Sequence, residues 1–228
     1  MPTSKSDVWV IIPAFNEGSV IGRVVREVTH RYPNVVVVDD GSTDCTAAKA
    51  AAEGAVVINH PINLGQGAAL QTGIEFAVSR GAARLATFDA DGQHQVRDIV
   101  ALLDALDARG VDFALGTRFL GSGSNVPTAR RLLLRLAVWF TRLTTGLVVS
   151  DTHNGLRAMT RRGAAAISIR QNRMAHASEI LQQIADSGLD YVEVPVTVAY
   201  TGYSLTKGQR LTGSIDVIVD LMAERLHR

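Results

Sequence analysis

Short apolar runs alternate with stretches of helical period along the first half of the chain. Val8-Trp9-Val10-Ile11-Ile12 is apolar throughout, as in a strand covered on both faces. Pro13-Ala14-Phe15-Asn16-Glu17 ends it, and Val20, Ile21, Val24, Val25 and Val28 then recur at helical spacing. The run at 35–38 is a second buried strand, closed by Asp39-Asp40-Gly41-Ser42-Thr43-Asp44. Ser42 or Thr43 is a candidate cap for the Ala-rich helix that runs to about Glu53. Further strands are expected at 55–58, 85–88 and 111–115, with helices from about 66 to 78 and from 96 to 106. Strands alternating with helices predict an α/β fold, a mainly parallel central sheet with helices on both faces.

The rhythm changes after Gly116. A Gly/Ser-rich loop at 121–125 precedes a long apolar helix, about 128 to 148. A short mixed segment at 152–159 follows, then a helix around 178–185, a strand at 191–200, a polar loop and a last helix from about Leu211. No linker-like stretch separates the two halves, so one domain is expected over the 228 residues. The net charge of +1 gives no global pull toward nucleic acid. The single cysteine, Cys45, excludes an internal disulfide and fits a reducing compartment. The polar N-terminus has no apolar core of a signal peptide. No apolar run reaches the roughly 18 residues of a membrane span.

The candidate chemistry gathers on Asp89-Ala90-Asp91-Gly92-Gln93-His94, between an apolar run and a helix. Two carboxylates at the carboxyl end of a strand lie where open α/β sheets bind ligands. They suit a hard cation such as Mg2+ or Mn2+, which completes its shell with water and phosphate oxygens. A solvated turn is the competing reading. The glycines of Asn63-Leu64-Gly65-Gln66-Gly67 either bring backbone N–H groups to a phosphate at a helix start or form a tight turn. No Gly-x-Gly-x-x-Gly follows the first strand, which counts against a dinucleotide fold.

These motifs, in this order and together with Gly116-Thr117-Arg118-Phe119, resemble the inverting, nucleotide-sugar-dependent glycosyltransferases of family 2. The series is most similar to the dolichol/polyprenol-phosphate mannose synthase group, and the similarity extends through Asp151-Thr152-His153-Asn154-Gly155-Leu156-Arg157 and Tyr200 to Arg210. The resemblance implies a GT-A fold, with a nucleotide-binding half at 1–120 and an acceptor- and membrane-facing half at 121–228. It places donor contacts on Pro13, Ala14, Asn16, Glu17, Asp39, Asp40, Gly65, Gly67, Asp89 and Ala90. Within that set Asp39 would accept hydrogen bonds from the base and Asp40 would support its loop. Asp89, Asp91 and Gln93 would hold the metal and the diphosphate. Asp91, Arg118, Lys207 and Arg210 would act in catalysis, and Arg118, Arg130, Arg131 and Lys207 would meet an acceptor phosphate.

The residues speak to the acceptor as well. A sugar hydroxyl needs a general base. A phosphate monoester has a second pKa of about 6 and is already an anionic nucleophile at neutral pH. It needs cations instead, and arginine's planar fork suits phosphate. This favours a polyprenyl phosphate acceptor, with direct displacement and inversion, taking a hexose from a nucleoside diphosphate sugar. Extension of a glycan hydroxyl, with Glu179 as base, is the alternative, and a non-catalytic nucleotide-sugar-binding subunit is the second. His153 and His176 are read as structural or acceptor-positioning. Arg131, Arg135 and Arg142 share a narrow arc of an otherwise apolar helix that includes Trp139 and Phe140. Such a helix lies in a membrane interface or forms a core helix with a basic stripe. Peripheral attachment at the cytoplasmic face is expected, with the last helix docking on a small transmembrane partner or packing on its own core.

Overall fold

The computed structural model describes residues 4–120, 138, 139, 141–143, 145–152, 154–171 and 175–199. Its centre is a seven-stranded sheet of order β3-β2-β1-β4-β6-β5-β7. The strands are β1 (Val8–Ala14), β2 (Asn34–Asp39), β3 (Val56–Asn59), β4 (Arg84–Thr87), β5 (Phe113–Thr117), β6 (Arg157–Thr160) and β7 (Tyr191–Pro195). The helices are α1 (Ile21–Thr29), α2 (Thr46–Ala52), α3 (Gln66–Ser79), α4 (Val96–Arg109), α5 (Arg161–Ala165) and α6 (Ala175–Ser187). All pairings are parallel except those of β6, which runs antiparallel between β4 and β5. The expected parallel sheet is therefore present, with one reversed strand inside the segment that the sequence left as mixed.

Two apolar layers follow from the strand pleat. Val10, Ile12, Val35, Val37 and Ala86 face α1 and α4, whose inward residues include Val24, Val28, Ile99 and Leu102. Ile11, Val36, Val38 and Leu85 face α3 and α6. Successive residues of one strand serve opposite layers, which is why these strands read as continuous apolar runs. On α1, Ile21, Val24, Val25 and Val28 are buried, one helical stripe as the spacing predicts.

Gly73 sets how closely α3 approaches β1. A Cβ there would lie 2.4 Å from Ile11 Cγ2 and 3.3 Å from Val38 Cγ2. Alanine is the better helix former by about 1 kcal/mol. Overpacking a filled core costs about 1–3 kcal/mol and outweighs that gain. Gly73→Ala is therefore expected to lower the melting temperature; a rise would show that the layer gives way cheaply.

The sheet collects the loops of interest on one edge. Ala14 pairs with Asp39, and Ile11 with Thr87, so β1, β2 and β4 end close together. Beyond β1 the chain steps to β2 and β3 on one side, then returns to β4 on the other. A switch of this kind opens a crevice at the carboxyl ends of the strands. Because β6 is reversed, its start, with Arg157 opposite Thr87, lies at that same edge.

Some expectations need correction. Neither Ser42 nor Thr43 caps α2: the N-cap position is Cys45, with no side-chain cap. Ser42 hydrogen-bonds Asp39 instead. The strand expected at 191–200 stops at Pro195, and Val198 makes an isolated bridge to His94. Of the long helix near 128–148, Val138, Trp139, residues 141–143 and Thr145 are helical, and its earlier part lies outside the described residues. The polar loop from Tyr200, the last helix, and Arg130, Arg131, His153, Lys207 and Arg210 also lie outside them.

Candidate active site

Two loops of the nucleotide half are stitched together by polar contacts. The Asn16 N–H donates to Ser42 Oγ at 2.8 Å, and Asn16 Oδ1 accepts from the Thr43 N–H at 2.9 Å. The Glu17 N–H donates to Thr46 Oγ1 at 2.8 Å and the Gly18 N–H to Asp44 Oδ2 at 2.9 Å. Asn16 adopts φ 52°, a left-handed conformation that asparagine tolerates better than most residues. Asp40 is buried and carries the next loop. It accepts from the Leu64 N–H at 2.9 Å and the Gly65 N–H at 2.7 Å, and it pairs with His60 Nδ1 at 2.8 Å. Asp40 thus holds the 60–65 segment, and the Gly65 N–H is already engaged.

A cavity of about 380 Å3 opens between these loops and the end of β4. Pro13, Ala14, Glu17, Asp40, Gly65, Asp89, Ala90 and Asp91 line it, all singled out from the sequence. Phe15, Asn63, Gln66 and Ala69 complete the wall, although sequence reasoning gave them no role. Asn16, Asp39, Gly67, Gln93 and Arg118 are not among the lining residues. Asp39 is buried against Ser42. Gly67 makes room for another part of the chain: a Cβ there would lie 2.1 Å from the Gln171 carbonyl oxygen.

Asp89 is the most closely supported acid. His94 Nε2 lies 3.1 Å from its Oδ2, and Gln66 Nε2 lies 3.4 Å from Oδ1. Gly155 presses on it from the β6 side, where a Cβ would meet Oδ2 at 2.3 Å. The Thr87 hydroxyl fixes that approach by donating to the Gly155 carbonyl at 2.6 Å. Burial works against the charged carboxylate. The His94 hydrogen bond and the charges of His94, Arg157 and His176 outweigh it, and Asp89 is held below the ordinary carboxylate pKa. Asp91 is pushed the other way, by burial first, then by the charge of Asp89, with a further push from Glu17. Two carboxylates one residue apart are thus shifted in opposite directions from their ordinary value.

That arrangement fits a divalent cation. Two carboxylates crowd together at the cavity wall, and a cation between them would relieve the repulsion that raises Asp91. Gln93 braces Asp91: its Nε2 donates to Asp91 Oδ2 at 2.7 Å and its N–H to Asp91 Oδ1 at 3.0 Å, which would orient that carboxylate toward a cation. Among the described residues no cluster of three or more His, Cys, Asp or Glu is poised around one metal position. Water and phosphate oxygens have to fill the remaining positions.

At the end of β5, Arg118 is buried, and its Nε donates to Asp151 Oδ2 at 2.6 Å, with its N–H on the same oxygen at 3.2 Å. Glu179 is occupied elsewhere. Its carboxylate accepts from the Arg170 N–H at 3.0 Å and the Gln171 N–H at 2.8 Å, closing the turn before α6. His176 is buried on the first turn of α6, packed toward Gly67. The sequence grouped His94 with the acidic pair, and it stands beside Asp89. Sequence reasoning missed Gly155 and Arg157 as neighbours of Asp89, because the reversed strand brings them there.

Comparison with known proteins agrees with this geometry. A model of glycosyl transferase family 2 matches residues 9–166. UDP-N-acetylglucosamine–dolichyl-phosphate N-acetylglucosaminyltransferase of Methanococcus voltae is 31% identical over 88% of this chain and 89% of its own. Polyprenol monophosphomannose synthase of Mycolicibacterium smegmatis is 33% identical over 86% of this chain and 78% of its own. Glucosyl-3-phosphoglycerate synthase from Mycobacterium tuberculosis, solved with Mg2+ and uridine diphosphate, superposes with a TM-score of 0.72. It is 22% identical, over 95% of this chain and 78% of that one, and the likeness gives the GT-A fold. With the strand-end loops, the acidic pair and the family match in agreement, the chain belongs to glycosyl transferase family 2 and is a glycosyltransferase.

Proposed function

We propose that this enzyme transfers a hexose from a nucleoside diphosphate sugar to a polyprenyl phosphate, with inversion, using Mg2+ or Mn2+. The observation that carries the reading is its similarity, over more than four-fifths of its length, to relatives named for dolichyl and polyprenol phosphate acceptors. The donor occupies the cavity beneath Pro13, Ala14 and Glu17, with its diphosphate toward Asp89 and Asp91. When bound, the cation offsets charge on the departing diphosphate. Asp89 and Asp91 hold it, Gln93 and His94 orient those two carboxylates, and the stitched loops keep water out of the donor pocket. Asp39, fixed by Ser42, faces the base end of this reading.

The acceptor brings its own negative charge, so the chain's task is to bring two anions together. Arg118, Arg130, Arg131, Lys207 and Arg210 supply cations for that purpose, Arg118 being set in place by Asp151. Glu179 favours this reading over a hydroxyl acceptor, because its carboxylate is spent on backbone N–H groups. Glu179→Gln is expected to lower stability by about 1–2 kcal/mol, since one of its two oxygens becomes a competing donor. Transfer to polyprenyl phosphate should be kept; its abolition in a folded variant would instead identify Glu179 as a base.

Contact with a membrane surface is part of the proposal. No helix among the described residues is long and apolar enough to cross a membrane. Trp139 is 65% exposed and Leu143 68% exposed, one helical turn apart, with exposed Arg142 beside them. Aromatic and aliphatic side chains flanked by arginine suit the boundary between acyl chains and phosphates. The face in question is the cytoplasmic one, where nucleotide sugars are made.

The test is incubation of the protein with polyprenyl phosphate, Mn2+ and labelled UDP- and GDP-sugars. Label is expected in the organic phase with one donor. Label confined to the aqueous phase with every donor would overturn the reading.

A further inference from the structure

The start of β6 places a buried cation behind the acidic pair. Arg157 is the Cα partner of Thr87, two residues before Asp89. Directly paired residues of an antiparallel ladder project to the same face, so Arg157 stands beside the strand end from which Asp89 leaves. Gly155, two residues earlier, touches the Asp89 carboxylate. Arg157 is only 5% exposed, and Asp89 and Asp151 are the charges that act on its guanidinium. Asp151 in turn binds Arg118 at 2.6 Å. The result is an alternating row, Arg118, Asp151, Arg157 and Asp89, running beneath the sheet edge from the acceptor side to the donor side.

This row has a consequence for a divalent cation. Asp89 and Asp91 are the two carboxylates at hand, and the positive charge of Arg157 cancels part of their field. Arginine keeps its proton even when buried, so this charge cannot be shed. Burial also leaves it poorly screened by salt. A nucleoside diphosphate adds several negative charges and new oxygen ligands, and so reverses the balance.

We infer that Arg157 is a positioning residue that makes metal binding depend on the donor: its charge behind Asp89 keeps the bare cation weakly held, so cation and diphosphate bind firmly together. The inference rests on the proposed use of a nucleoside diphosphate sugar and a divalent cation at this site. It assigns Arg157 an opposing role toward the metal, whereas a purely structural arginine would only help the site form.

The test is titration of Mn2+ into the protein, followed by the electron paramagnetic resonance of free Mn2+, without nucleotide and with UDP or GDP. The wild type should bind Mn2+ at least about tenfold more tightly with one nucleoside diphosphate than without, given the size of charge interactions in a partly dry site. Arg157→Met should bind Mn2+ alone about tenfold more tightly than the wild type, and should lose most of the dependence on nucleotide. Arg157→Lys keeps the charge and should behave as the wild type. Unchanged or weaker Mn2+ binding in folded Arg157→Met would overturn the inference, as would equal tightening in Arg157→Lys. Should Arg157→Met fail to fold, the wild type decides alone: equal Mn2+ affinity with and without nucleotide overturns the inference. A wild type that binds no Mn2+ under any of these conditions contradicts the proposed function itself.

Discussion

Asp89→Asn is expected to reduce sugar transfer by on the order of a thousandfold, comparable to or beyond the loss of one preorganised transition-state contact, while leaving the fold intact. The reason lies in what the substitution changes. The amide keeps the size of the carboxylate, so the close approach of Gly155 is still accommodated. It removes one of the two negative charges facing the cavity and places an N–H2 group where His94 Nε2 now sits 3.1 Å away. The remaining acid, Asp91, is still pushed toward protonation by burial, although no longer by a charge at 89. Among the described residues no group of three or more His, Cys, Asp or Glu stands around one metal position to make up the loss. The check is a rate measurement at saturating donor and Mn2+ with a melting curve alongside. Transfer within tenfold of the wild type would place the reacting diphosphate elsewhere.

Asp151→Ala is expected to destabilise the protein by about 3–5 kcal/mol, because it removes a buried carboxylate that pairs with the buried Arg118. Arg118 is 7% exposed and the Asp151 side chain is fully buried. Two hydrogen bonds from Arg118, one through Nε and one through its own N–H, end on the same Asp151 oxygen. Replacing one partner of such a pair costs far more than the pair itself is worth, since a buried charge loses a counter-charge that water does not replace. Arg118→Met combined with Asp151→Leu should recover much of the stability while losing transfer. Denaturant unfolding measures both. A cost below about 1 kcal/mol for Asp151→Ala would mean that the pair is as well solvated as an ordinary surface one.

The sequence carried most of the architecture up to Thr117. Runs such as those in β1 and β2 leave few alternatives to a doubly covered strand, and the stripe on α1 reads directly from its spacing. The reversed strand β6 did not show. It has four residues, begins with a buried arginine and ends with a threonine, and so lacks the apolar run that marks its neighbours. Register was equally hidden, and register is what brings Gly155 and Arg157 to Asp89.

Among the site residues, the lining of the cavity followed from motifs at strand ends, because the sheet gathers those ends on one edge. Roles were harder to read than places. Asp39 and Asp40 are adjacent in sequence, yet one faces Ser42 and the other carries three contacts from a distant loop. Gly67, read as bringing a backbone N–H to a phosphate or forming a tight turn, also makes room for the Gln171 carbonyl. Glu179, the base of the hydroxyl-acceptor alternative, also accepts the N–H groups of Arg170 and Gln171, which local motifs did not show. For Asp40 and Gly67 the deciding contact is long-range, and local spacing contains no trace of it.

The central claim is that the nucleophile is a phosphate oxygen on a polyprenyl chain. The most direct test offers the enzyme two lipids that differ only in that group, polyprenyl phosphate and the free polyprenol, with Mn2+ and the preferred nucleotide sugar. Mass spectrometry of the organic extract should show the polyprenyl phosphate heavier by one hexose unit and the polyprenol unchanged. Glycosylated polyprenol, or neither lipid glycosylated while the donor is consumed on another acceptor, would contradict the account.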